Sequence, residues 1–280
     1  MSKILALLDG SIYSESVCHH TAWIAARLGA SVEVLHVLGR REGVDKQDLS
    51  GALRLGARSK LLEELAALDE QRAKLAAQQG HAILEDAVAI LQGDGVTQVA
   101  PRLRRGDLLE AVREVEPDTR AIILGKRGEG ADFATGHLGS NLERLIRSTQ
   151  VPVLVASRAF KPIGKVLLAY DGSASAKVAV ERMAASPVFA GLEICVLHVG
   201  GSDSAVTDPA VTRLRAAGLQ VTPRALPGEP DEVLGRLVAE EGFDLLVMGA
   251  YGHSRIRSLI IGSTTTAMIQ TVKTPVLLYR

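Results

Sequence analysis

Short apolar runs alternate with helical patterns along the chain, most clearly in its second half. The apolar runs, rich in Val, Ile and Leu, are Lys165–Ala169, Glu193–Val199, Leu219–Ala225, Leu245–Met248 and Val276–Tyr279. The segments between them with helical spacing are Ala174–Ala185, Val206–Ala217, Asp231–Glu241 and Leu259–Thr271. Continuous apolar strands separated by helices are typical of a parallel sheet with both faces covered. The pattern therefore predicts an α/β fold with a doubly wound sheet.

The same pattern occurs twice. KILALLDGS at 3–11 corresponds to KVLLAYDGS at 165–173, and VEVLHV, ending at Val37, corresponds to EICVLHV, ending at Val199. The pairs AIILGKRG and DLLVMGAYG, HLGSN and IIGST, and VPVLVAS and TPVLLYR follow in the same order. A repeat of this length predicts two fused copies of one α/β unit, at residues 1–158 and 164–280, separated by the turn-rich segment RAFKPIG.

The first copy contains an additional segment. Matched residues are 162 positions apart at Asp9 and Asp171 but only 123 apart at Pro152 and Pro275, so the first copy is 39 residues longer between them. The excess lies at about 45–94, where Leu, Ala, Glu, Lys and Gln are frequent. Its helical spacing is carried by Leu61, Leu65, Leu68 and Leu75. We predict one long or two shorter helices here, with a packing or dimerisation role rather than a catalytic one.

The composition excludes several classes of protein. Lys plus Arg and Asp plus Glu both number 32, so no net field favours nucleic acid or an anionic membrane. Aromatic residues make up 3% of the chain, too few for a base-stacking surface. Cys18 and Cys195 lie far apart without metal-ligand spacing, and we predict no metal site. Asp9 interrupts the first apolar run too early for a signal peptide, and no run reaches membrane length. We expect a soluble cytoplasmic protein with reduced cysteines.

A glycine-containing loop follows the fourth strand of the second copy. Glycines there allow the backbone to turn and to approach an anion closely. The loop ends at the start of the last helix, where unpaired N–H groups and the positive helix end favour phosphate. The candidate residues are Gly249, Gly252, His253, Arg255, Gly262, Ser263 and Thr264. The spacing is neither the Walker pattern nor GxGxxG. The alternative is that these glycines only form turns and that Ser263 is an N-cap.

Polar groups at the ends of the first two strands complete the candidate site. The carboxylate of Asp171 can accept a hydrogen bond from a ribose hydroxyl or an adenine amino group. The alternative is that Asp171 caps the helix that starts near Ser173 or Ala174, and both roles are compatible. Main-chain groups of Val199 can bind a base. We interpret His198 and His36, each inside an apolar run, as packed and hydrogen-bonded rather than catalytic.

These motifs resemble the universal stress protein family, tandem type: DGS after the first strand, LHV in the second, the glycine loop after the fourth, and PVLVA or PVLLY in the fifth. The resemblance implies, in each copy, a Rossmann-like five-stranded parallel sheet of order 3-2-1-4-5 with an adenine nucleotide, ATP, where the order reverses. It places Asp171 and Val199 near the adenosine. It places Met248, Gly249, Gly252, Gly262, Ser263 and Thr264 around the ribose and phosphates. It also implies pairing of the two copies through their fifth strands, and a role in stress response.

The first copy departs from this signature. Its corresponding residues are Asp9, Val37, Leu124, Gly125, Gly128, Gly139, Ser140 and Asn141. Ten residues lie between Gly128 and Gly139, whereas nine lie between Gly252 and Gly262. Glu129 and Asp132 place acidic side chains in this loop, where the second copy has His253 and Arg255. Acidic groups would repel phosphates unless a cation such as Mg²⁺ or the neighbouring Lys126 and Arg127 offset them. The sequence leaves nucleotide binding by this copy open.

Three functions are compatible with these motifs. The first is a stress-response protein whose C-terminal copy binds ATP or another adenine nucleotide and which acts as a nucleotide-dependent regulator. The second is an enzyme, either a slow ATPase or a member of a related adenylating class, although SGGxDS, HxGH and Ser/His/Asp arrangements are absent from the sequence and we assign no catalytic residue. The third is a dimeric scaffold whose glycine loops do not bind nucleotide. A homodimer is compatible with each.

Overall fold

The computed structural model describes residues 3–39, 55–126, 139–250 and 261–280. The strands are β1 (Lys3–Leu8), β2 (Ser31–Gly39), β3 (Val99–Gly106), β4 (Thr119–Gly125), β5 (Val153–Ala156), β6 (Lys165–Ala169), β7 (Glu193–Val199), β8 (Gln220–Leu226), β9 (Leu245–Gly249) and β10 (Val276–Tyr279). The α-helices are α1 (Ser14–Leu28), α2 (Leu55–Gly93), α3 (Leu108–Val115), α4 (Ser140–Ser148), α5 (Ala174–Ala184), α6 (Asp208–Ala216), α7 (Pro230–Glu240) and α8 (Ser263–Thr271). Strands and helices alternate as the hydrophobic pattern predicts.

The strands form one sheet of ten, in the order β3-β2-β1-β4-β5-β10-β9-β6-β7-β8. Each half therefore has the order 3-2-1-4-5 that the resemblance implied. Neighbouring strands are parallel except at the centre, where β5 and β10 are antiparallel, with Val155 opposite Val276 and Val153 opposite Leu278. The two sheets that we predicted are thus joined edge to edge into one continuous sheet, and each fifth strand covers the other's open edge.

The central strands of the sheet are buried on both faces because they are apolar at consecutive positions, whereas the edge strands β3 and β8 are mostly exposed or half-buried. In β1, Ile4 and Ala6 pack into the core on one face, whereas Leu5 and Leu7 pack into the core on the other. Side chains point alternately to the two faces of a strand, so an unbroken apolar run is what two covered faces require. The helices supply these covers.

Within the described residues, the additional segment of the first half is a single helix of 39 residues, in agreement with the prediction of one long helix. Its C-terminal part packs on the sheet through Leu84, Ala87 and Leu91, which are all buried. The packing begins at Gly80, where a Cβ would lie 2.7 Å from Leu103 Cδ1 and 3.0 Å from His36 Cδ2. Glycine therefore allows α2 to approach the sheet at this point.

Some predicted boundaries are wrong by a few residues. The helix predicted from Val206 begins as an α-helix only at Asp208, because Ser204–Thr207 forms a 3-10 turn that Asp203 caps and Pro209 occupies the first turn of α6. The last helix, predicted from Leu259, begins at Ser263 within the described residues. Among the residues that the structure describes, no helix is long and apolar enough to cross a membrane.

Candidate functional site

The carboxyl ends of three neighbouring strands meet in the second half. β6 lies between β7 and β9 in the sheet, so the residues at their ends are adjacent. Asp171 follows β6, Val199 ends β7, and Met248 and Gly249 end β9. The strand order reverses between β6 and β9, which is where a doubly wound sheet opens a crevice. The structure therefore brings these four predicted residues to one edge.

Asp171 closes the turn between β6 and α5. Its Oδ1 accepts a hydrogen bond from the Ser173 N–H at 2.9 Å, across Gly172, which has a φ of +74°. The N-cap of α5 is Ser173, whose hydroxyl oxygen accepts from the Ala176 N–H at 3.3 Å. The alternative in which Asp171 itself caps the helix is therefore wrong. Asp171 is exposed, and its carboxylate is fixed at the edge by the turn.

The start of α8 is held against the end of β9. The Gly262 N–H donates to the Ala250 carbonyl at 3.1 Å, and the Thr265 hydroxyl donates to the Gly249 carbonyl at 3.1 Å. Gly262 is the N-cap, with no side-chain cap, and Ser263 is the first helical residue. The interpretation of Ser263 as an N-cap is therefore wrong. Thr264 follows in the first turn, whose N–H groups have no acceptor within the helix.

Gly249 has a structural explanation that the sequence did not indicate. A Cβ at this position would lie 2.2 Å from Ser175 Oγ and 3.0 Å from the Ala176 nitrogen. The glycine is needed because the start of α5 passes directly over the end of β9, so its presence does not by itself indicate a ligand. Gly252, His253 and Arg255 lie outside the described residues.

The equivalent edge of the first half carries a cavity of about 1050 Å³. Seven of the predicted residues line it together: Asp9, Val37, Leu124, Gly125, Gly139, Ser140 and Asn141. Gly128, Arg127, Glu129 and Asp132 lie outside the described residues. Asp9 repeats the turn of the second half, because its Oδ1 accepts from the Ser11 N–H at 3.0 Å.

Gly139 and Gly262 have the same backbone conformation. Their φ and ψ values are −57° and 131° for Gly139, and −56° and 143° for Gly262. A Cβ at Gly139 would meet no atom of the described residues within 4 Å. Within the described residues, nothing lies against this position at the start of α4.

The first cavity also contains charged residues that we did not predict. Asp107 caps α3 by accepting from the Leu109 N–H at 2.8 Å, and the Arg144 guanidinium donates to its other oxygen at 2.9 Å. This hydrogen bond from Arg144 lowers the pKa of the Asp107 carboxyl. Lys126, also on the cavity wall, donates to the Val272 carbonyl in the second half.

Another motif that occurs in both halves, a glycine followed by an acidic residue, could have identified Asp107. Asp107 follows Gly106, which has a φ of +125°. In the second half, Gly228 has a φ of +122° and precedes Glu229, the N-cap of α7. A glycine followed by an acidic residue after the third strand is therefore common to both halves. Arg144 has no such signal, since Ala267 stands at the corresponding position.

The two histidines of the second strands stabilise the aspartate turns. His36 Nδ1 lies 2.7 Å from the Leu8 carbonyl oxygen, and His198 Nδ1 lies 3.1 Å from the Tyr170 carbonyl oxygen. A carbonyl only accepts, so each Nδ1 carries the hydrogen. These carbonyls immediately precede Asp9 and Asp171. The prediction that both histidines are packed and hydrogen-bonded is confirmed.

The fold is a doubly wound α/β sheet whose strand order reverses at the corresponding strand ends of the two halves. The model of the universal stress protein family matches residues 1–157 and 201–280. A universal stress protein of Synechocystis is 39% identical over the full length of both chains, and one of Mycolicibacterium smegmatis is 24% identical over 75% of this chain and 78% of its own. The crystal structure of a universal stress protein from Archaeoglobus fulgidus covers 99% of this chain and 98% of its own, with 19% identity and a TM-score of 0.72. The chain belongs to the universal stress protein family.

Proposed function

We propose that the second half binds ATP, or another adenine nucleotide, and that binding regulates the protein in a stress response. The observation that carries this proposal is the glycine-capped start of α8 beside the end of β9, at the edge that also contains Asp171 and Val199. A helix start without a side-chain cap leaves its first N–H groups available to an anion. A nearby carboxylate and strand-end main chain suit a nucleoside.

Each residue has a role in the proposed complex. Asp171 accepts from the ribose or the adenine amino group, and main-chain groups of Val199 bind the base. In this proposal Met248, Gly249, Gly252 and His253 surround the ribose and phosphates, and Gly262, Ser263 and Thr264 supply the helix start. Mg²⁺ would bind to the phosphates and neutralise part of their charge.

A regulatory effect has a structural route. The Ala250 N–H donates to the Tyr279 carbonyl of β10 at 2.8 Å, and its carbonyl accepts from Gly262. Ala250 therefore connects the start of α8 to the strand that pairs with β5 at the centre of the sheet. We propose that 1–158 and 164–280 act as two units joined there, so that a phosphate at α8 alters the joint between them.

Calorimetric titration of ligand-free protein with ATP and Mg²⁺ tests this proposal, and we expect one site per chain. Two sites would extend the function to the first cavity. Absence of binding by folded, nucleotide-free protein would contradict the proposal and favour the scaffold function. A phosphate-release assay then distinguishes a binding protein from a slow ATPase.

Replacing Asp171 by alanine is expected to weaken ATP binding about tenfold, because one hydrogen bond to a charged group contributes about 1.5 kcal/mol. Inorganic triphosphate contains neither ribose nor base, so its affinity should remain within about twofold in the same variant. Calorimetry with both ligands measures the difference. Asp9→Ala removes the same turn from the first half and is the matched control. Equal losses for ATP and triphosphate would show that Asp171 only shapes the loop.

A further inference from the structure

The N-terminal part of α2 extends beyond the sheet. Every residue from 63 to 75 is exposed, whereas burial begins at Gly80. Leu65, Leu68 and Leu75 are 42%, 49% and 64% exposed, in contrast to Leu84 in the same helix, which is buried. Within the part of the chain that the structure describes, these three leucines therefore form an apolar face that no other element covers.

The spacing on this face is that of a coiled coil. Successive steps of four and three residues connect Leu61, Leu65, Leu68, Arg72, Leu75 and Gln79. Such a heptad stripe packs against a second helix, with the side chains of each helix inserted between those of the other. We call the stripe at 61–79 the α2 seam. Four of its six positions are leucine, and its other two are long and polar.

We propose that the α2 seam pairs with the α2 seam of a second copy of this chain, in an antiparallel coiled coil centred near Glu70. In that register Leu65 of one copy lies opposite Leu75 of the other, and Leu68 lies opposite Arg72. Leu61 and Gln79 form the outer layer. Each contact thus occurs twice, related by one two-fold axis, as a closed dimer requires.

Charge decides both the occupant and the orientation. Glu64 and Asp69 flank the first half of the α2 seam, and Arg72 lies within its second half. Antiparallel pairing places Arg72 beside Asp69 of the other copy. Parallel pairing would stack Arg72 on Arg72, which costs stability. The seam is therefore complementary to itself.

The Asp69–Arg72 pair is available for this exchange. Within one chain the two groups are 4.0 Å apart, and their side chains remain 62% and 58% exposed. An exposed pair at this distance contributes little to stability. Covering it with a second seam removes part of the water and strengthens the attraction to the other copy.

The expected association is reversible. A helical segment of this length spans about 28 Å at 1.5 Å per residue, which gives a contact at the lower end of specific interfaces. We expect a dissociation constant on the order of micromolar for such a contact. Sedimentation velocity of the full chain across this range should show a shift from 29.7 kDa at low concentration to twice that mass.

Paired substitutions test the apolar contact. Leu68→Glu with Leu75→Glu should give monomer at all concentrations, whereas Ala67→Glu with Ala73→Glu, which adds equal charge away from the seam, should dimerise like the unchanged protein. All four positions are exposed, so circular dichroism should show the same helix content in each. A monomeric unchanged protein would overturn the proposal, as would a dimer that survives the leucine substitutions.

Cross-linking tests the orientation in the intact protein. With Cys195 replaced by serine, Gln71→Cys should cross-link to itself through a short bis-maleimide, because position 71 lies near the centre. Gln79→Cys should not, since its two copies would be about 27 Å apart along the axis. Cys18 does not interfere, because burial raises the pKa of its thiol to about 12. Equal cross-linking at both positions would establish parallel pairing and overturn the proposed register.

Discussion

Replacing Gly262 by valine is expected to reduce ATP binding by the second half on the order of 100-fold. A valine side chain at the start of α8 would keep the phosphates from its N–H groups and remove about two charge-assisted hydrogen bonds, each contributing roughly 1.5 kcal/mol or more. The loss should be of affinity for both ATP and triphosphate, in contrast to Asp171→Ala. Calorimetric titration with each ligand measures it.

The fold should tolerate this change, because the backbone at Gly262 has a φ of −56° that any residue adopts. The equivalent Gly139 supports this expectation, since a Cβ there meets no atom of the described residues within 4 Å. Gly139→Val is therefore the matched control, and it should leave binding by the second half unchanged. Undiminished affinity in Gly262→Val would mean that the phosphates do not lie at the start of α8.

The spacing of apolar residues along the chain predicted the strands, the helices and the residues at the strand ends. Buried strands, their order through the resemblance, and the meeting of Asp171 with Val199 all follow from where apolar runs end. Sequence patterns did not predict that Gly249 packs against Ser175 at the start of α5. A Cβ at position 249 would lie 2.2 Å from Ser175 Oγ, because α5 crosses the end of β9 there. The Arg144–Asp107 pair likewise depends on how α3 and α4 pack against each other. Such contacts join residues whose local sequence carries no trace of the partner.

The contacts between the two halves were likewise not predictable from the sequence. Arg27 on α1 donates to the Val188 and Ala190 carbonyls of the second half, both at 2.9 Å. Phe160, in the connection between β5 and β6, lies edge-on to the His20 ring at 4.9 Å between centroids. These contacts reinforce the β5–β10 pairing from one side of the sheet. They also bury a titratable group where the two halves meet, which makes stability depend on pH.

Acidification from pH 6.5 to pH 4 is expected to cost the folded protein about 3 kcal/mol at His20 alone. The residue has no exposed surface, and its Nδ1 donates to the Ser16 carbonyl at 2.7 Å. Burial lowers the pKa of His20 from 6.5 to about 4, the Ser16 carbonyl partly opposes this, and His19 lowers it further. Between these two pH values, His20 is therefore protonated in the unfolded chain but not in the folded chain. Stability must fall there as pH falls, and the contribution of this group becomes constant below pH 4.

The measurement is the free energy of unfolding by denaturant between pH 7 and pH 4.5, compared with His20→Gln. Other groups titrate in the same range, so the informative quantity is the difference between the two proteins. That difference should shrink as the pH falls, by roughly 1.4 kcal/mol per unit below 6.5, because the variant has no imidazole to protonate. His81→Gln, at an exposed position, should preserve the original slope. Parallel curves for His20→Gln and the unchanged protein would show that folding does not lower the pKa of His20, and that the contact with Phe160 tolerates a cation.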